Sequence, residues 1–312
     1  MTKIPLETTI AGAYRFLFMR ILSILGTLWL PMLVAVALLV GIVWLVIPHE
    51  WLMGNFPKLP EGGHGPHDFK AGFTAMMEIC GPFLKAMPLV AIVSLVMSSM
   101  MMVGLLQLSL GQRKSSYVFF SLGGDVWRLV LASLLIFVLL LLFYAGSIGI
   151  AVAASAIAKP LVPHGVWVAA TILLAIAAVC FPIYAMVRLF FFLPAVVVTE
   201  HRIGLGRSWQ LGRGNFWRII VVILLIVIPV AIVGGMISNM TIMPILASEL
   251  MRFEDKPTAA DVTALFRALP PLIPMFLAIG VLQRVATMGL MAGAMGSAYN
   301  ALVPKEEETT SA

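Results

Sequence analysis

Charge is what this sequence has least of. Only 11% of its 312 residues are Asp, Glu, Lys or Arg, against roughly 25% in an ordinary soluble domain. With 61% hydrophobic residues and a mean hydropathy of +1.06, the chain excludes water as its main solvent. Cysteine is almost missing: Cys80 and Cys180 stand alone, make no C-x-x-C pair, and fall at different predicted depths, which argues against a disulfide and against redox chemistry. There is no nucleophile triad, no Gly-rich phosphate loop and no pair of carboxylates inside one apolar run, so no catalytic constellation, metal site or cofactor is expected. The N-terminus lacks the short apolar core and small-residue cleavage site of a signal peptide. The formal charge of +6 comes from basic residues scattered between apolar runs, a pattern unlike a nucleic-acid surface.

What is present is a series of apolar runs long enough to cross a hydrocarbon layer about 30 Å thick. Six spans are expected, near Ile24–Ile47, Pro82–Leu110, Leu129–Ala154, Val166–Val198, Ile219–Leu250 and Leu272–Leu302. In or next to the connections at Gly111–Arg128 and Thr199–Arg218 and the two termini stand Lys3, Arg15, Arg20, Arg113, Lys114, Arg128, Arg188, Arg202, Arg207, Arg213, Arg218 and Lys305; the connections at His49–Gly81, Ser155–Gly165 and Met251–Pro271 hold fewer basic residues. By the positive-inside rule both termini lie in the cytoplasm.

An internal repeat organises these spans. Leu122–Phe137 (LGGDVWRLVLASLLIF) recurs as Leu211–Val227 (LGRGNFWRIIVVILLIV), and Phe18–Leu25 (FMRILSIL) is a fainter third copy that puts Arg20 where the others have Arg128 and Arg218. The expected fold is all-α: one polytopic membrane domain over 1–303, built as three helical hairpins (8–110, 111–198 and 199–303), with a polar tail at 304–312. Each hairpin is led in by a short amphipathic interfacial helix. In the third lead-in Leu205, Trp209, Gly212 and Phe216 share one helical face while Arg207, Gln210 and Arg213 share another, and Gly214-Asn215 ends the segment. Trp127, Arg128, Trp209 and Trp217 are expected anchors, since Trp favours the headgroup layer and Arg reaches lipid phosphate. Gly289, Gly293 and Gly296 form a small-residue face for close helix contact.

Over Arg188–Ile219, the Arg ahead of an apolar stretch with Pro194, the Arg-Ser-Trp at Arg207–Trp209 and the Gly-Asn-x-Trp-Arg at Gly214–Arg218 carry a resemblance. The chain resembles the six-helix membrane domain fused to some bacterial glycerophosphoryl diester phosphodiesterases and found also in stand-alone membrane proteins. The resemblance implies a bacterial inner-membrane domain linked to lipid or envelope metabolism. It does not carry the phosphodiesterase activity across, because no soluble stretch here is long enough for that catalytic barrel.

Candidate functional residues follow from charge and depth. Arg188, Arg202, Arg207, Arg213 and Arg218 form a girdle suited to anionic headgroups, each basic group near an anionic leaflet contributing about 1 kcal/mol; the competing reading is that they set topology alone. Arg284 lies inside the sixth run, where a charge is costly and usually marks function; it is a further candidate ligand for a lipid phosphate or an anionic substrate, the competing reading being that it reaches the inner surface. His49, Glu50, Glu61, His64, His67, Asp68 and His164 cluster on the outer side without the spacing of a metal site. Met97, Met100, Met101, Met102, Met288, Met291 and Met295 suit packing better than copper transfer. The expected function is therefore a non-catalytic scaffold or lipid-handling domain whose partner is anionic phospholipid; the alternative is a transporter or channel for a small, anionic substrate.

Overall fold

A computed structural model describes residues 3–46, 48, 50, 66–114, 118–158, 163–241, 243, 244, 247 and 272–303. Among these, the long elements are all helices: α1 (Leu6–Met19), α2 (Ile21–Val46), α3 (Pro66–Ser109), α4 (Gly124–Ala158), α5 (His164–Glu200), α6 (Leu205–Gly212), α7 (Phe216–Thr241) and α8 (Ile273–Leu302). Six of them, α2, α3, α4, α5, α7 and α8, contain segments long and apolar enough to cross a membrane. The molecule is thus an all-α, multi-pass membrane protein.

The span boundaries shift from the sequence reading for local reasons. α4 starts at Gly124, a turn before Leu129, with Asp125 in its first turn, where a carboxylate meets the positive end of the helix dipole. α3 starts at Pro66 and runs through Gly81 and Pro82, so the latter part of the expected outer connection His49–Gly81 is helical; Pro at the first helical position lacks only an N–H that would be unbonded there anyway. The ends of the fifth span beyond Thr241, the connection Met251–Pro271 and the tail 304–312 lie largely or wholly outside the described residues.

The hairpin pairs α2/α3, α4/α5 and α7/α8 are each in contact, and the second helices α3, α5 and α8 also touch one another. The second helices therefore form the centre and the first helices pack around it. At 1.5 Å per residue the 37 residues of α5 span about 55 Å, well beyond a hydrocarbon core of about 30 Å. The surplus length builds a knot at one end. There Met100, Leu105 and Leu106 of α3, Phe191–Val198 of α5 (Pro194 aside) and Ala292–Met295 of α8 (Gly293 aside) are buried in one shared core, with Ile24, Val126 and Ile219 closing it from the first helices. Met97, Met100, Met101 and Met295 are part of this packing.

Toward the other end the same helices expose apolar surface, for example Leu45, Ile92, Leu142, Leu173, Ile232 and Leu282. Contiguous exposed hydrocarbon on this scale is what a lipid belt solvates and what water does not.

The lead-ins lock the knot in a cyclic pattern. α1 packs on α8 of the last hairpin, the segment 118–123 packs on α3 of the first, and α6 packs on α5 of the second. Small residues permit the close approach: a Cβ added at Gly293 would meet Ala13 Cα at 3.0 Å, and one added at Gly212 would meet the Arg188 carbonyl at 3.0 Å. The expected contact role of Gly289, Gly293 and Gly296 is met by Leu17, by Phe16 with Ala13, and by Ser109 respectively. The second lead-in departs from expectation, since 118–123 is not helical. It ends on Gly123-Gly124, and Phe119 seats it on the bundle: the ring is buried against Gly104 and Thr27, and Arg113 stacks 4.2 Å above it.

Candidate functional site

The chain's N-terminal segment, the starts of α4 and α7, and the ends of α3, α5 and α8 meet at the knot end. Ile4 is wholly buried there. Its N–H donates to Asn215 Oδ1 at 3.0 Å, and its carbonyl accepts from Arg218 Nη1 at 2.5 Å. Asn215 follows Gly214, whose φ of 77° gives the left-handed turn that aims α7 away from α6. Arg20 Nη1 donates to the Leu108 carbonyl at 3.4 Å. The first described residues and the end of α8 thus lie on the same face.

Arg188 is 4% exposed and has no carboxylate within ion-pair distance among the described residues. Its Nη1 donates to the Tyr184 hydroxyl at 2.6 Å, its Nη2 to the Trp209 carbonyl at 2.8 Å, and its guanidinium lies 3.9 Å from the Trp209 ring centroid. The planar fork allows both bonds and the stack together, which an ammonium does not. Ser208 Oγ adds a bond to the Leu189 carbonyl at 2.7 Å. Arg188 and Trp209, read from sequence as headgroup ligand and anchor, bind each other and fasten α6 to α5.

Glu200, the last residue of α5, is the acidic centre that sequence reasoning passed over. Its Oε2 accepts from Arg202 Nε and Nη2 at 2.8 and 2.5 Å; its Oε1 accepts from Arg207 Nε at 3.3 Å and from the Tyr299 hydroxyl at 3.5 Å. It joins α5, α6 and α8. Beside it, Glu200, Arg202, Ile203, Gly204, Gly206, Arg207 and Gln210 line an open hollow of about 500 Å³. The next residue, His201, caps α5 with a φ of 49°, and its Nδ1 lies 3.0 Å from Asp125 Oδ1, which also accepts from Arg128 Nη1 at 2.7 Å. The sequence signal for this network was one carboxylate followed by basic residues two and seven positions on; the contribution of Tyr299, far along the chain, left no local trace.

Arg213 is exposed and has no ion-pair partner among the described residues. Trp127 and Trp217 are 49% and 75% exposed, with their rings open to the surroundings. Burial pushes the Arg113 guanidinium below its ordinary range. Arg284 stands apart from the girdle: it is exposed, where the belt of α8 ends and the knot begins, and its Nη2 donates to Ser98 Oγ on α3 at 2.5 Å. Of the outer histidine cluster, Glu50 is described and exposed, His49, Glu61 and His64 lie outside the described residues, and the side chains of His67, Asp68 and His164 are likewise not described.

An apolar groove of about 210 Å³ opens between α1, α7 and α8, lined by Tyr14, Phe18, Val230, Val233, Leu282 and Ala286 among others. Several of its walls, including Phe18, Val233 and Leu282, belong to the exposed belt.

Together these features define the class: a multi-pass α-helical membrane protein with a buried apolar core at one end and a basic rim around it. No family model, curated protein or solved structure matches the chain.

Proposed function

We propose that this protein is a non-catalytic, lipid-associated domain of the bacterial inner membrane that holds anionic phospholipid by its headgroup at the knot end. The observation that carries this reading is the gathering of Arg20, Arg128, Arg202, Arg207, Arg213 and Arg218 around one end of a bundle whose other end exposes hydrocarbon. In that orientation the knot end faces the cytoplasm and the basic rim meets the anionic leaflet, at about 1 kcal/mol per basic group. The groove between α1, α7 and α8 is a place for an acyl chain of a retained lipid. The resemblance of Arg188–Ile219 to the phosphodiesterase-associated membrane domain supports a link to lipid metabolism.

The alternative, a transporter or channel, draws on Arg284, a cation beside the belt. A path between the hairpins is what transport requires, and the described parts of α3, α5 and α8 fill their meeting region with buried Leu105, Leu106, Phe191, Phe192, Ala292 and Met295, which weighs against it.

The test is thermal stability in nanodiscs of increasing phosphatidylglycerol content. A ligand that binds the folded state raises Tm with its concentration. Tm should climb with the anionic fraction in the wild type and stay flat in the Arg207→Ala, Arg213→Ala, Arg218→Ala triple variant; equal curves for both proteins would sink the proposal.

A further inference from the structure

The hollow beside Glu200 has a chemistry that its neighbours do not exhaust. Two guanidinium groups line it, and each carries five N–H donors. Glu200 takes two from Arg202 and one from Arg207, which leaves most of these donors without a partner among the described residues. Gln210 adds an exposed side-chain amide to the same wall. The first turn of α6 also faces this region: its N-cap, Gly204, supplies no side-chain cap, so the leading N–H groups of that helix lack the usual internal acceptor. A Cβ placed at Gly206 would meet nothing within 4 Å, so the approach to that turn is open. The hollow is rich in donors, carries a net positive charge from two cations and one anion, and contains a single strong acceptor, the Glu200 carboxylate.

Where two arginines converge on one carboxylate, they define a position that any planar or tetrahedral oxyanion can occupy, and paired Arg–phosphate contacts are among the strongest charge-assisted hydrogen bonds. We propose that this hollow is a phosphate-binding site in which Glu200 acts as a resident competitor: a phosphate group takes Arg202 and Arg207 from Glu200 and is held additionally by Gln210 and the first turn of α6. The proposal deepens the lipid reading above by naming the group bound and the residues that bind it. Glu200 sets the affinity by two routes. Its charge repels the incoming phosphate, and its hydrogen bonds must be exchanged for those of the ligand. Phosphate binding and the tie from α5 to α6 therefore compete for the same donors.

The shared chemistry is a phosphate group, supplied either by a lipid headgroup or by a soluble ester. The experiment measures binding of inorganic phosphate and glycerol 3-phosphate to the full chain in neutral nanodiscs, and separately of phosphatidic acid incorporated in the disc, for wild type, Glu200→Gln and Gln210→Glu. Glu200→Gln keeps an acceptor for Tyr299 and removes the competing charge; it should tighten binding about tenfold or more. Gln210→Glu alters an exposed side chain with no bonded partner among the described residues, so Tm should hold while phosphate binding falls by a similar factor. Tightening with phosphatidic acid alone assigns the site to a lipid headgroup, and tightening with the soluble compounds assigns it to a water-borne ester. Binding that is absent in every arm, unchanged or weaker in Glu200→Gln, or indifferent to Gln210→Glu overturns the site. If anionic lipid still raises Tm in that case, the lipid reading stands without it.

Discussion

The hydroxyl of Tyr14 donates to the main-chain carbonyl of Leu225 at 3.0 Å, a carbonyl that Pro229 leaves without its helical donor. In a helix the N–H of residue 229 would bond the carbonyl of residue 225, and proline has no N–H. α1 therefore repairs α7. The pairing also fixes α1 beside the groove that Tyr14, Pro229 and Val230 line.

A double-mutant cycle tests this repair. Tyr14→Phe should cost about 1 kcal/mol in the wild-type background, the scale of hydrogen bonds measured within membrane proteins. It should cost close to nothing in a Pro229→Ala background, where the substituted residue supplies the missing N–H. Equal costs in both backgrounds would show that the hydroxyl has another role. Reversible unfolding in mixed micelles gives the four values.

Arg188 should be intolerant of conservative change. Lysine forfeits the stack on Trp209 and one of the two directed bonds, and an expected loss of about 2 kcal/mol follows from the strength of a desolvated cation–π contact together with the lost fork. Arg188→Lys should lower Tm and expose α6 to protease. A wild-type Tm in this variant would mean that α6 is held on α5 by other contacts.

Glycines in the knot and in the belt should respond in opposite directions. Gly293→Val forces α1 and α8 apart, because even a Cβ would sit 3.0 Å from Ala13 Cα and 3.1 Å from Phe16; a loss of about 1–3 kcal/mol is the usual cost of overpacking. Gly41→Ala in α2 meets nothing within 4 Å and should be neutral or stabilising by up to about 1 kcal/mol through helix propensity. The same unfolding measurement in mixed micelles checks both, and a Gly293→Val variant as stable as wild type would show that the two helices can part without loss.

Asn215→Ala should release the N-terminal segment. The Ile4 amide loses its acceptor at Asn215 Oδ1, while the Ile4 carbonyl keeps its bond from Arg218. Hydrogen exchange at Ile4 should accelerate with little change in α7. Protection equal to wild type would show that burial alone retains the segment.

Hydropathy made the six spans legible, because a hydrocarbon solvent forces long uninterrupted apolar helices. The Trp-Arg pairs likewise pointed to Trp127 and Trp217, which the fold leaves as exposed rings at the starts of α4 and α7. Hydropathy did not show that α3, α5 and α8 extend past the belt into a shared knot, since a residue such as Phe191 is apolar whether lipid or protein surrounds it. Arg188 illustrates the same limit for charge. As a letter it belongs with Arg213; in the fold it is buried under Trp209 while Arg213 is exposed, because burial depends on α6 folding back over α5. The Glu200 network brings together residues up to 99 positions apart, beyond the reach of any local pattern. The repeat of Trp-Arg lead-ins was visible, whereas their cyclic placement depends on tertiary contacts between Gly293 and Ala13, Gly104 and Phe119, and Gly212 and Arg188.

Retention of anionic lipid by the basic rim is open to direct measurement. Native mass spectrometry of the detergent-purified protein, with extraction and identification of co-purifying lipid, tests it most directly for wild type, Arg284→Ala and the Arg207, Arg213, Arg218 triple alanine variant. An anionic phospholipid should be bound to wild type and to Arg284→Ala and lost from the triple variant. Loss of lipid from Arg284→Ala alone, or no specific lipid on any of the three proteins, would contradict retention by the rim.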